Sequence, residues 1–198
     1  LLINHQLPKS IIFNGEQGIG KRTFLFHFFA YLHLSKVEKI NYDINFCIKD
    51  SKILENVATN VLPSIKIVKK IDKSQNITID QIREVILFCS YEAFESKPRF
   101  ILIQNAETMN LNASNALLKI LESPPDNTYF FLNKNSNSKI LSTIKSRCHN
   151  FDLKVNISES DLIFKKLLNQ LNLKNFNNFD IFNSYDTHGS KINRISYL

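Results

Sequence analysis

The segment GEQGIGKRT, residues 15–23, combines closely spaced glycines with a lysine, as phosphate-binding loops do. The chain has only four glycines, and three of them lie in this segment. Glycine tolerates positive φ, so it lets backbone N–H groups converge on phosphate oxygens, and the lysine that follows can reach terminal phosphates. The alternative is a glycine-rich turn that binds no ligand. The candidate nucleotide-binding residues are Gly15, Gly18, Ile19, Gly20, Lys21, Arg22 and Thr23.

Two positions that handle Mg²⁺ in nucleotide-hydrolysing proteins are occupied by unsuitable residues. The residue after the lysine normally supplies a hydroxyl to Mg²⁺, whereas here it is Arg22, and Thr23 comes one residue late. An acidic residue normally ends a buried strand of such a site, but ILIQNAE has Gln104 and Asn105 there, and Glu107 follows two or three residues too late. The pattern predicts a nucleotide-binding fold that hydrolyses ATP slowly or not at all. We expect no metal site and no required cofactor, and bound ATP or ADP is left open.

The elements that position the loop alternate between strand and helix patterns. Such an alternation predicts an α/β fold with a parallel sheet covered by helices on both faces. After about residue 155 the chain reads as amphipathic helices, which predicts one domain at 1–154 and a small helical domain at 155–198. The strand patterns are 10–15, 64–70, 99–107, 128–135 and 149–153, the helix patterns are 22–35, 78–94, 111–123 and a short one within 139–148, and 36–60 is weakly patterned.

Composition restricts the class of protein. The 198 residues are 43% hydrophobic and 22% charged, which is typical of a globular chain, and no apolar run is long enough to span a membrane. The three cysteines, Cys47, Cys89 and Cys148, are scattered, so we expect neither a disulfide framework nor zinc, and a reducing cytoplasmic location. The net charge of +7 indicates either contact with nucleic acid or an acidic partner, or a bias toward Asn, Ile and Lys.

Several segments together resemble the delta-prime family of bacterial DNA polymerase III clamp-loader subunits, which belong to the AAA+ class. They are GEQGIGKRT, ITIDQIRE, NAETMNLNASNALLKILESPP and STIKSRC, in that order. The resemblance covers about residues 7–195. Its most specific part is NALLKILESPP, residues 115–125, followed by the Ser-Arg-Cys motif at 146–148.

The resemblance implies an AAA+ P-loop domain, a three-helix lid and a collar domain, and we expect the collar to be absent from these residues. It implies gamma/tau and delta subunits as partners, with the sliding clamp and primed DNA reached through the complex and no membrane partner. The chain is then a subunit of a DNA-directed DNA polymerase holoenzyme in which gamma or tau consumes ATP. A degenerate nucleotide site is usual in this family, which agrees with Arg22, Gln104 and Asn105.

By the same resemblance, the Ser-Arg-Cys motif offers an arginine to the ATP site of a neighbouring gamma-type subunit. Its members here are Ser146, Arg147 and Cys148. The planar guanidinium of Arg147 would contact the γ-phosphate and stabilise charge in the transition state. The alternative is that Arg147 only pairs with a local carboxylate.

Some positions depart from the family pattern. Many members carry a four-cysteine zinc module between the loop and the second strand of the site, but only Cys47 and Cys89 lie there, so no zinc is expected. The residue that senses phosphate after the strand at 128–135 is either Lys134 or Asn135. In the lid, Ile192 lies about where a sensor arginine is expected, and Arg194 is offset.

Two other functions remain as alternatives. One is an active gamma/tau-like AAA+ ATPase, which the missing acidic pair and hydroxyl disfavour. The other is a free-standing nucleotide-binding regulator that does not join a clamp loader. ATP turnover by the isolated chain would favour the ATPase. Association with clamp-loader subunits would argue against the free-standing regulator.

Overall fold

The computed structural model describes residues 7–33, 51–71, 76–91 and 98–154. Within these ranges, five parallel strands form one sheet in the order β2-β3-β4-β1-β5. The predicted lid, 155–198, lies outside the described residues. The strands are β1 Ser10–Gly15, β2 Ile65–Val68, β3 Arg99–Ile103, β4 Thr128–Asn135 and β5 His149–Asp152, and the helices are α1 Lys21–His33, α2 Ser51–Ala58, α3 Ile79–Ser90, α4 Leu111–Glu122 and α5 Ser142–Lys145.

Helices cover both faces of this sheet, as the sequence predicts. Alternate strand residues point to opposite faces, so neighbours in one strand join different cores. Phe131 packs with α1 and α2, whereas Leu132 packs with α3, α4 and α5. Because both faces are buried, the central strands contain continuous apolar runs, such as the buried residues 100–103 of β3.

The core under α1 is largely aromatic. Phe29 of α1 contacts Phe131 edge to face with ring centres 5.2 Å apart, and its ring lies 5.4 Å from that of Phe100. Phe131 also stacks on Phe13 at 6.2 Å. Aromatic pairs in these geometries contribute beyond the area they bury. The Phe-rich pattern after the loop therefore anchors α1, and with it the loop, to the centre of the sheet.

The helices on the other face begin at polar caps. Gln81 of α3 accepts a hydrogen bond from the backbone N–H of Thr78 at 3.1 Å, which is half of the predicted capping box. Asn110 caps α4 by accepting from the N–H of Ala113 at 2.8 Å. Two consecutive prolines follow α4 and prevent its continuation. These signals make the predicted starts of both helices correct to within one residue.

Two features differ from the sequence prediction. Helix α2 was not predicted, because 36–60 reads as weakly patterned, although its apolar residues Ile53, Leu54 and Val57 have helical spacing and pack against the aromatic core. Strand β3 ends at Ile103 instead of 107, since Asn105 adopts a left-handed conformation, with φ of 53°, and a 3-10 turn follows at Ala106–Thr108. That turn changes which side chains reach the end of the sheet.

Candidate functional site

The carboxyl ends of β1, β3 and β4 meet at one edge of the sheet, which is where α/β proteins bind ligands. The loop between β1 and α1 lies there. Gly18 and Gly20 have φ of 83° and 96°, a conformation that other residues rarely adopt. At Gly15 the constraint is space, since a Cβ would lie 3.0 Å from the carbonyl oxygen of Leu153. The glycines are therefore required by backbone geometry at this edge.

Lys21, the first residue of α1, folds back over the loop. Its ammonium donates to the carbonyl oxygens of Gly15 and Glu16 at 2.6 and 2.7 Å. Burial lowers the pKa of Lys21; the Glu107 carboxylate raises it, the Lys134 ammonium lowers it, and Glu16 raises it. The lysine is thus already partly desolvated beside other charged groups, at the place where the sequence predicts phosphate binding.

Arg22 and Thr23 lie on the exposed side of the first turn of α1. The Arg22 guanidinium sits over the ring of Phe26, one turn later, with its Cζ atom 4.9 Å from the ring centre. The position after the lysine therefore lacks a hydroxyl for Mg²⁺.

The end of β3 has amides where nucleotide-hydrolysing sites have acids. The side chain of Gln104 is buried, and its backbone N–H donates to the carbonyl of Val68 at 2.8 Å. The N–H of Asn105 donates to Oδ1 of Asn133 on the adjacent strand at 2.5 Å. Neither residue offers a carboxylate, and within the described ranges no three His, Cys, Asp or Glu side chains group to hold a metal ion.

Glu107 is the acid that sequence reasoning placed too late. The 3-10 turn after Asn105 brings it back to the end of β4, where its Oε1 accepts from the N–H of Asn135 at 3.2 Å. Its Oε2 is buried and has no hydrogen-bond partner among the described residues. The spacing of residues in the sequence does not predict this position of the Glu107 carboxylate, because a strand that continues to 107 would place it elsewhere.

Lys134 and Asn135, the alternative phosphate-sensing residues, both lie at this edge. The Lys134 ammonium donates to Oδ1 of Asn14 at 3.0 Å and to the carbonyl of Asn135 at 2.8 Å. Asn14 in turn donates to Asp152 on β5 at 2.8 Å. A cleft of about 420 Å³ opens beside this network, between the loop and the chain after β5. The charged residues that line this cleft are Glu16, Asp152 and Lys154, and the Lys134 ammonium beside it is already hydrogen-bonded.

Arg147 lies on the turn after α5 and pairs with Glu122, the last residue of α4. Its Nε donates to Glu122 Oε1 at 2.9 Å, Nη2 donates to the same oxygen, and Nη1 donates to the carbonyl of Thr143 at 2.9 Å. The side chain of Arg147 keeps 31% of its surface exposed. The local carboxylate considered from sequence is therefore present, and the guanidinium still reaches solvent.

The side chains of the other two motif residues make local contacts within the fold. Ser146 donates to the carbonyl of Thr143 at 3.0 Å. Cys148 is 8% exposed, and burial raises the pKa of its thiol to about 12; burial likewise raises the pKa of Cys89 to about 11. Cys47 and the lid positions Ile192 and Arg194 lie outside the described residues. Of the three motif residues, only Arg147 presents a charged group to the surroundings.

A family model described as "DNA polymerase III, delta subunit" matches residues 1–156. The chain belongs to this family. DNA polymerase III subunit delta' of Pseudomonas aeruginosa is 32% identical over 134 residues, 68% of this chain and 39% of that protein. Subunit gamma/tau of Mycoplasma genitalium is 31% identical over 163 residues, 82% of this chain and 26% of that protein. The delta-prime resemblance is confirmed, and the chain spans well under two thirds of the length of these curated relatives.

Solved structures agree on the fold of this DNA polymerase III family member. A gamma subunit-related protein from Thermotoga maritima superposes with a TM-score of 0.56 at 22% identity, covering 91% of this chain and 53% of that one. The RuvB Holliday junction branch migration motor of the same organism gives 0.51 at 14% identity, covering 86% and 46%. At these identities the likeness shows only the fold, and it confirms the predicted α/β domain with a parallel sheet. None of the described helices is long and apolar enough to cross a membrane.

Proposed function

We propose that this chain is a delta-prime-type subunit of a clamp loader, which helps to load the sliding clamp on primed DNA. Its partners are gamma/tau and delta subunits, and it meets the clamp and DNA through the complex. It contributes Arg147 to the ATP site of a neighbouring subunit instead of hydrolysing ATP itself. The observation that carries this proposal is the contrast between a loop without Mg²⁺-binding groups and a partly exposed, hydrogen-bonded arginine.

The loop still has the chemistry to hold the phosphates of ATP or ADP. The loop N–H groups supply donors, and α1 directs its positive end toward them. Lys21 must leave the carbonyl oxygens of Gly15 and Glu16 before its ammonium reaches a phosphate. A nucleotide held there would stabilise the loop, while hydrolysis would occur in the neighbouring subunit.

Assembly is the direct test of this function. A tagged form of this chain, expressed together with gamma/tau and delta subunits, should elute with them from an affinity column and then as one peak in size exclusion. The alternative, a free-standing regulator, makes the opposite prediction. Elution of the tagged chain alone, with both partner subunits soluble and in excess, would contradict the proposal.

The isolated chain should hydrolyse Mg·ATP far more slowly than about one turnover per second, the low end of ordinary enzymes. A second candidate function, an active gamma/tau-like ATPase, is favoured by one observation: the buried Glu107 oxygen that has no hydrogen-bond partner in the described part of the chain, on a carboxylate that raises the pKa of Lys21. The assay therefore includes Glu107→Gln and Lys21→Met. Turnover near one per second that both variants abolish would establish the ATPase and contradict a degenerate site.

A further inference from the structure

We propose that Glu122 is a positioning residue for Arg147, so that α4 sets the direction in which the trans arginine is presented. The inference rests on the proposed function of Arg147. Its observation is that one carboxylate oxygen of Glu122 accepts from two nitrogens of the guanidinium, Nε and Nη2. Twenty-five positions separate the two residues in the chain, so only the fold brings them together.

The hydrogen bonds of Arg147 leave two N–H groups of its guanidinium for another acceptor. A guanidinium has five N–H groups in one plane. Glu122 takes one on Nε and one on Nη2, and the Thr143 carbonyl takes one on Nη1. Within the described part of the chain, the remaining N–H on each terminal nitrogen has no acceptor. Two such groups on one plane are what bidentate binding of a phosphate requires.

The two ends of this contact are fixed to the same core. Leu121, next to Glu122, is buried in the cluster that also contains Ile144 and Cys148, which flank Arg147. Side chains in a packed core move little, so the backbones on both sides of the ion pair are held at a constant separation. The carboxylate therefore meets the guanidinium in one orientation, and rotation of the arginine about its long side chain is restricted.

The solvent exposure of the Arg147–Glu122 ion pair favours a role in positioning the arginine over a role in stabilising the fold. The side chains of Arg147 and Glu122 are 31% and 54% exposed, and ion pairs of this kind contribute little to folding stability. Removing Glu122 should therefore leave the chain folded and assembled. What it removes is the restriction on the guanidinium, and small misplacements of a catalytic group have large effects on rate.

The test measures single-turnover ATP hydrolysis by clamp loaders assembled from the full chain and its partner subunits. Glu122→Ala should slow hydrolysis at the adjoining site by about 10-fold to 100-fold with little change in ATP affinity. Glu122→Gln, which keeps an acceptor oxygen, should restore part of the rate. Glu84→Ala is the matched control, because Glu84 is also an exposed helical carboxylate paired with a cation, Lys66, and it should leave the rate unchanged.

A double-mutant cycle measures the coupling between Glu122 and Arg147. If Glu122 acts through Arg147, then Glu122→Ala should have no further effect in a chain that already carries Arg147→Ala. An unchanged rate in Glu122→Ala, or an equal loss in both backgrounds, would overturn the positioning role while leaving the trans arginine in place. An unchanged rate in Arg147→Ala would instead overturn the proposed function, and the inference with it.

Discussion

Replacing Arg147 with alanine is expected to slow ATP hydrolysis at the adjoining clamp-loader subunit by roughly 10³-fold, as removal of a trans arginine does elsewhere. The guanidinium would stabilise negative charge that develops on the transferring phosphoryl group, and alanine leaves that charge without a partner. The measurement is single-turnover phosphate release by the assembled complex. The affected site should appear as a slow phase, while the other ATP sites keep their normal rate.

Two variants make this result specific. Arg147→Lys keeps the positive charge but lacks the planar fork, so it should recover only a small part of the rate. Arg83→Ala is the matched control, because Arg83 is also an exposed arginine paired with a carboxylate, that of Asp80 at 2.8 Å. A slow phase of equal size in Arg83→Ala would point to a general effect of surface charge. Normal hydrolysis in Arg147→Ala would contradict the trans role.

Replacing Phe131 with alanine should lower the free energy of unfolding by about 3–5 kcal/mol. Phe131 is 1% exposed on β4, the central strand of the sheet, and its ring meets those of Phe13, Phe29 and Phe100. Alanine would leave a cavity at the centre of this aromatic core. Urea denaturation followed by circular dichroism gives the change, since the chain has no tryptophan for fluorescence.

The matched control for this prediction is Phe24→Ala. Phe24 lies on α1 in the same aromatic region, 5.7 Å from the ring of Phe13, but it is 50% exposed. Its loss should cost about 1 kcal/mol or less, because water can fill the space that alanine leaves. Equal losses in the two variants would mean that the aromatic core is not centred on Phe131, and that α1 is anchored by other contacts.

Much of the architecture could be predicted from local pattern. β4 has four consecutive aromatic or aliphatic residues at 129–132, and its predicted bounds, 128–135, are those observed. The prolines after Glu122 and the Thr78 cap fix helix ends through backbone chemistry that neighbouring residues alone control. Helix α2 was not predicted although its apolar residues Ile53, Leu54 and Val57 have helical spacing; a helix of eight residues is stable only when packed, here against a core formed by distant strands.

The candidate site also contains some features that the sequence predicts and one that only the fold reveals. The glycines, Lys21 and the absent hydroxyl and acids are properties of residue type at fixed spacing, so the sequence alone predicts a nucleotide loop that lacks its usual metal-binding groups. Glu107 is different. It approaches Lys21 because Asn105 turns the chain at the end of β3, and a linear count of residues contains no information about that turn.

The Ser-Arg-Cys motif also shows the difference between what the sequence predicts and what the tertiary structure adds. Sequence by itself determined the family and the α/β sheet, and it predicts that Arg147 acts outside its own chain. Only the tertiary structure decided that Glu122 holds Arg147, that Cys148 is buried and that Arg22 lies over Phe26. The physical reason is that residue type and periodicity specify local conformation and the buried face, whereas side-chain partners depend on which distant segments the packed sheet and helices bring together.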